Sequence, residues 1–317
     1  MKKIFNTLVM SIALSAFLFS CSKTNTPVSS TIVASASMDS IFNILRLHSA
    51  TFNVDAVGGG TFYGNSGTRY TFFGNSFQTA SGTTVTGTVQ VQVCEYLQKG
   101  DMLFSKMLPI SNKEPLISGG EINVSATQNG QSVYLKPYNY FVANVPQSTV
   151  PPAGMAFFSG QPNTDTTQNK VNWLKIDSSS HNIAQIIGPG GDTLSIISDS
   201  LKECNADQFM TAPNYQTFTV TALVTGATVP GSSGVFAYAL YDNYKAVWPL
   251  GWIGSYANGV FTEQHVPNIP VHFVVFTLIG GKFYGGIIGA TPVTGNNYAV
   301  TLTEVDPVVF KGQVNEL

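Results

Sequence analysis

Few side chains in this sequence are suited to nucleophilic or metal chemistry: three cysteines, Cys21, Cys94 and Cys204, and four histidines, His48, His181, His265 and His272. A serine nucleophile needs a positioned base and an oxyanion hole, commonly on a strand–helix elbow. No G-x-S-x-G occurs, and spacing sets no histidine against a particular Ser or Asp. There is also no H-E-x-x-H, no C-x-x-C pair and no D-x-D-x-D-G loop, so the usual zinc and calcium patterns are missing. His265 and His272 stand seven residues apart across Pro267 and Pro270, where a turn would bring them near each other. Asp177 and Asp192 read as turn formers. The 17 acidic residues are scattered, which argues against a two-carboxylate glycosidase. The expectation is a protein with no catalytic residues, no metal and no cofactor.

One stretch does concentrate recognition chemistry. YDNYKAVWPLGWIGSY, residues 241–256, holds Tyr241, Tyr244, Trp248, Trp252 and Tyr256, including two of the chain's three tryptophans. Aromatic faces stack on sugar rings, and neighbouring Asp242 and Asn243 would orient hydroxyls. The competing reading is that Trp248 and Trp252 plug a core while the tyrosines line its rim, with Pro249 and Gly251 bending the chain. The core role is favoured, and the glycan platform is the alternative.

Lys2 and Lys3 precede an apolar run from Ile4 to Phe19, interrupted by Asn6, Thr7, Ser11 and Ser15. Such a run is shorter than the roughly 20 residues of a spanning helix and reads as a secretory signal. Its end, Leu18-Phe19-Ser20-Cys21, resembles a bacterial lipobox, with Phe19 larger than the residue usual there. The resemblance implies cleavage before Cys21 and lipid on that cysteine, hence an outer-membrane lipoprotein on either face of the membrane. The Ser- and Thr-rich stretch after Cys21 is expected to be a flexible tether. Cys94 and Cys204 form an even pair in an oxidising compartment, and both a disulfide and two unpaired thiols remain open. Strand alternation puts Cys94 on a polar face, so something should cover it.

Charged residues make up 10% of the chain, against a usual value of about 25%. Net charge is −2 with no basic block, which excludes a polyanion-binding surface and nucleic acid as a partner. The 37 Phe, Tyr and Trp residues supply ample core material, so disorder is excluded.

The elements are short alternating runs with glycine and asparagine turns. Ile41, Ile44, Leu45 and His48 suit one short helix, with Asp39 as its N-cap. Beyond it, VTGTVQVQV alternates, Lys99-Gly100-Asp101 reads as a connection, and Asn129-Gly130 predicts a type I′ hairpin turn returning as QSVYLKP. GGGTFYGNSGTRYTF, VTGTVQVQV, SGGEINVSATQNG and VYLKP occur in the order found in the small β-sandwich domain of zonula occludens proteins, netrin receptors and ankyrins. They resemble still more a version in lipoproteins of Bacteroidetes-type bacteria. That resemblance implies an interaction or scaffold unit over residues 50–145. The self-cleaving His-Phe-Ser of some relatives is not present, since His272-Phe273 is followed by Val274.

The expected fold is mainly β, with tandem antiparallel β-sandwich domains and a short N-terminal helix at most. The expected order is a signal peptide (1–20), a lipidated cysteine and tether (21–49), a first sandwich (50–145), a middle β segment (146–212) and an immunoglobulin-like sandwich (213–317). The expected function is a non-catalytic binding or scaffold module, held to the membrane through a lipid anchor, with a protein or glycan partner. A hydrolase is the least favoured reading.

Overall fold

The structure is a computed structural model, and it describes residues 37–177, 181–188, 190–211, 214–231, 234–252 and 255–317. The expected signal segment, Cys21 and most of the expected tether lie outside the described residues. Within them the chain is mainly β, 52% strand and 9% helix, and everything from Ser37 onward belongs to one compact unit.

Valine-rich alternation builds the first sheet. In Thr88–Tyr96 the residues Val89, Val91 and Val93 point inward while Thr88, Gln90 and Gln92 face water. This strand lies between Ala50–Asp55 and Glu114–Gln128, and all its pairings are antiparallel. The sheet has 13 strands. It continues through Gly59–Tyr63, Arg69–Phe73, Phe141–Pro146 and Thr193–Ser198 to Ile183–Ile187 on one side. On the other side it runs through Glu203–Phe209 and Ala156–Pro162 to Val171–Lys175. Strands from 146–212 therefore occupy both ends of the sheet begun by 50–145, and the two stretches form one body.

The sheet curls over its own inner face. Phe72, Phe77, Phe141, Val89, Leu194 and Ile196 pack there in one core. Leu194 comes against Gly119, where a Cβ would collide with it. The neighbouring Gly120 has φ +144, a backbone state open to glycine, and its absent side chain makes room for Leu97 and Val145. The two glycines oppose the single residue Ala206, forming a β-bulge that bends the strand.

The hairpin at Asn129-Gly130 has φ +51 and +77, the double positive φ of a type I′ turn. Its return strand is shorter than the sequence predicts. Gln131–Ser132 pairs back, and Tyr134–Leu135 then leaves to pair with Phe77–Gln78.

The second body has eight strands on one hydrogen-bonded path rather than in two separate sheets. Its central hairpin joins Val271–Ile279 to Lys282–Ala290 through Gly280-Gly281, both at positive φ. Its one departure from antiparallel pairing is Tyr215–Val224 beside Asn297–Glu304, which run parallel.

Three short helices fill the space between the bodies. They are α1 (Met38–Leu45), α2 (Lys99–Ser105) and α3 (Pro307–Asn315). The N-cap of α1 is Ser37, whose Oγ accepts from Ser40 N at 3.2 Å, rather than Asp39. Residues 38–45 are thus docked structure and not tether. The expected connection at Lys99-Gly100-Asp101 is the start of α2, a helix too short to show periodicity and ended by Lys106 at φ +56. Phe276 is the hub of the joint. Its ring centroid lies 5.3 Å from Phe104 of α2, 6.0 Å from Phe42 of α1 and 6.1 Å from Phe310 of α3. Gly285 lets Phe310 lie on the sheet, since a Cβ there would fall 2.5 Å from the ring. Lys311 Nζ then reaches Asp101 Oδ1 at 2.7 Å and the Leu45 carbonyl at 2.8 Å, tying all three helices together.

Phe276→Ala is expected to destabilise the protein by about 3–5 kcal/mol in denaturant unfolding, because the cavity opens where both bodies meet. Val308→Ala, exposed on α3, should stay within about 0.5 kcal/mol of the parent. Equal effects from the two would show that the ring cluster is not the joint.

Candidate functional site

The aromatic segment at 241–256 is not a surface platform. Tyr241 and Trp248 are both 0% exposed. Trp248 packs at 5.7 Å from Trp252 and is stacked 6.0 Å from His265. Tyr256 is half-buried against Phe261 at 4.5 Å, with its hydroxyl donating to the carbonyls of Pro230 and Gly231. Of the five, Tyr244 alone counts as exposed. Residues 253 and 254 of the segment lie outside the described set. The core role explains these residues, because Val235–Tyr241 is buried on both faces.

Cys94 and Cys204 are both free and buried. The register explains why they do not meet. Cys94 pairs with Asn123 and Cys204 with Ile122, successive residues of one strand whose side chains point to opposite faces. Cys204 belongs to the inner core. Cys94 belongs to a second cluster on the outer face with Met102, Phe158 and Trp173. The cover expected over Cys94 is therefore α2 and the strands at 156–175. Trp173 closes it, donating Nε1–H to the Leu108 carbonyl at 3.0 Å. Burial raises both thiol pKa values, more strongly for Cys204.

His272 and His265 do not form a pair with each other. His272 Nδ1 instead lies 2.7 Å from Asp242 Oδ1, an arrangement that orients an imidazole. Its other nitrogen faces Gly289, where an added Cβ would sit 3.3 Å away. No hydroxyl or thiol among the described residues is hydrogen-bonded to that nitrogen. His265 N donates to Glu263 Oε1, a buried carboxylate that also takes Gly251 N.

Asp242 opens instead onto a cleft of about 1000 Å³ where the two bodies meet. Lys99, Asp101, Asp242, Tyr244 and Lys245 line it together with the proline-rich loop 146–152. Lys99 Nζ donates to the carbonyls of Tyr241 and Leu317. Burial lowers its pKa to about 8, an effect partly offset by the Asp242 charge. Burial also lowers the pKa of Lys245. The Lys245 carbonyl accepts Ser118 N at 2.9 Å, a backbone bond from one body to the other. A cleft of this size, with mixed charges and a flanking loop, can hold a peptide or small ligand. Sequence reasoning placed Lys99 in a turn and missed it, because nothing in the local pattern marks a lysine that folds inward.

Two further buried groups had no sequence signal. Glu121 is fully buried with neither carboxylate oxygen hydrogen-bonded, beside Asp207, whose Oδ2 accepts from Asn205 at 2.6 Å. Burial raises both pKa values well above the usual carboxylate range, and the Asp207 charge adds to the shift of Glu121.

No family model matches the chain, and no curated protein matches it. Among solved structures, the Bacillus anthracis TIE protein is similar at 13% identity and TM-score 0.20. That match covers 56% of this chain and 38% of the other, so it spans well under half of that protein, and a score so low carries no argument.

The two raised carboxyls set a direction for stability. The folded state keeps protons that the unfolded state releases above about pH 4. Stability is therefore highest below that pH and falls as pH rises toward the folded pKa, by up to about 1.4 kcal/mol per pH unit per group. Glu121→Gln should flatten this slope in urea unfolding measured from pH 4 to 8. An unchanged slope would mean that Glu121 is ionised in the fold.

Proposed function

We propose that the protein is a non-catalytic lipoprotein of the outer envelope, held in the membrane by acyl chains on Cys21 and presenting its two β bodies as a binding or scaffold module. The observation that carries this reading is the way the chain enters the body. It arrives at Ser37, directly into a helix that buries Ile41, Phe42 and Leu45 and whose last carbonyl is held by Lys311. A pull on the anchor is then borne by the joint between both bodies rather than by a loose strand. The lipobox-like Leu18–Cys21 supports the anchor. The interaction role of the domain family that residues 50–145 resemble supports the scaffold. No described helix is long and apolar enough to cross a membrane.

The test is the mature amino terminus. Protein from native membranes should begin at Cys21 with acyl mass on that residue, and Cys21→Ser should move it from the membrane to the soluble fraction. A mature chain beginning upstream, or one without acyl mass, rejects the anchor.

A glycan-binding variant of this reading is favoured by other aromatics than those at 241–256. Tyr138 is 82% exposed at φ +63, and Phe73 and Tyr140, 43% and 36% exposed, meet edge to face at 5.2 Å. Exposed rings of this kind suit sugar faces. Retention on a glycan column should fall when Tyr138 and Tyr140 are changed to Ala and stay unchanged in Tyr244→Ala. The reverse result rejects this surface.

A further inference from the structure

A second pocket, of about 460 Å³, opens on the outer face of the first sheet beside α1 and α2. It draws its lining from stretches far apart in the chain. The buried part includes Cys94, Tyr96, Met107 and Val171, while Arg46, His48 and Lys170 are its exposed cationic and imidazole side chains. Asn123 and Glu203 complete one wall, with Asn123 Nδ2 donating to Glu203 Oε1 at 2.8 Å.

The two permanent cations are set in place by hydrogen-bonded backbone. Arg46 caps α1, its N–H donating to the Phe42 carbonyl, and Leu47 N is held by Ser105 Oγ of α2 at 3.1 Å. Lys170 N donates to the Lys106 carbonyl at 2.8 Å, and buried Asn169 bonds both backbone groups of Leu108. The nearby Lys106 ammonium is otherwise engaged, 4.2 Å from the centre of the Phe42 ring. Among the described residues neither Arg46 nor Lys170 makes an ion pair. Burial, and after it the Arg46 charge, pushes the Lys170 pKa down. Arg46 and Lys170 bring two like charges to one concave site, and an anionic group placed beside them would offset both.

We propose that this pocket binds a small organic anion of about monosaccharide size, with Arg46 and Lys170 holding its carboxylate or phosphate group and Tyr96, Asn123 and Ser105 facing its body. The volume falls within the range of about 300–1,000 Å³ typical of small-molecule sites. Arginine supplies a planar fork for two anionic oxygens, and lysine supplies a point charge. Glu203, engaged by Asn123, adds a carboxylate to the lining, which would accept hydroxyls and disfavour a second anionic group. This assignment gives the binding-module reading a ligand class and rests on it. Lipidation at Cys21 is read separately by mass, so the two ideas fail independently.

The experiment titrates the full chain in detergent micelles with glucuronate, glucose 6-phosphate, glucose and inorganic phosphate, followed by calorimetry. Saturable binding of glucuronate or glucose 6-phosphate is expected, with none for glucose and weaker binding of inorganic phosphate. Arg46→Gln and Lys170→Gln should each weaken the binding about tenfold or more. Lys170 is exposed on a loop, so its variant keeps the test valid should Arg46→Gln unfold the protein. The bound anion should also slow alkylation of Cys94, located by peptide mass, and leave fully buried Cys204 unaffected. Three results would each overturn the proposal: no saturable binding of either organic anion, equal binding of glucose or inorganic phosphate, or unchanged affinity in the folded Lys170→Gln variant.

Discussion

The contact on which the rest depends is the packing of aromatic rings around Phe276. Each β body alone has a core, but the two are joined through helices drawn from residues 38–45, 99–105 and 307–315. A buried phenylalanine contributes about 1.5–3 kcal/mol. Phe42, Phe104, Phe276 and Phe310 come from four separate elements, so their burial is obtained only when all four elements are present. Lys311 adds direction to this apolar contact. It is nearly buried, and it is satisfied only if α1 presents its last carbonyl and α2 presents Asp101. Removing one partner of such a charge leaves the other uncompensated, which is why a polar tie inside an apolar joint fixes a single arrangement.

The first sheet obeys a second constraint, since it serves two cores with its two faces. Alternation in Thr88–Tyr96 holds for as long as one face is wet, and it stops at Cys94, where α2 and Trp173 arrive. From there both faces are buried, so Glu95 and Cys94 are enclosed on opposite sides of one strand. Glu95 accepts the backbone N–H groups of Ser66 and Thr68, which makes it the fastener of a hairpin turn rather than a misplaced charge. Glu121 has no such compensation beside the glycine bulge. Burial and the neighbouring Asp207 charge push its pKa well up, the usual response of a carboxyl group that finds no donor.

What was legible in the sequence follows from these constraints. The period-2 valines, the Asn129-Gly130 turn and the Gly280-Gly281 hairpin are local signals, and each of them folds as its pattern dictates. The position of the middle strands was not legible. Glu203–Phe209 inserts beside a strand begun some 80 residues earlier, and nothing in its own composition names that neighbour. The aromatic segment left two readings open for the opposite reason, with the core role favoured. Its composition fits both a sugar platform and a core, and only the burial of Val235–Tyr241 on both faces decides between them. The disulfide was open in the sequence because the count of cysteines carries no facing, and one residue of register on the Glu114–Gln128 strand separates the two thiols.

The candidate sites were least legible because they are built by convergence. The pocket at Arg46 and Lys170 takes residues from the exit of α1, from five strands of the sheet and from a loop, so no spacing could have revealed it. Its position nevertheless follows from the joint. The four residues after α1, Arg46 to Ser49, must cross from the ring cluster to the first strand, and Ser105 of α2 fixes their path. That crossing carries the Arg46 cation into the pocket. The same stretch is fixed at its start from the side of the helices, where Lys311 holds the Leu45 carbonyl, so one short segment ties the position of the pocket to the packing of the joint.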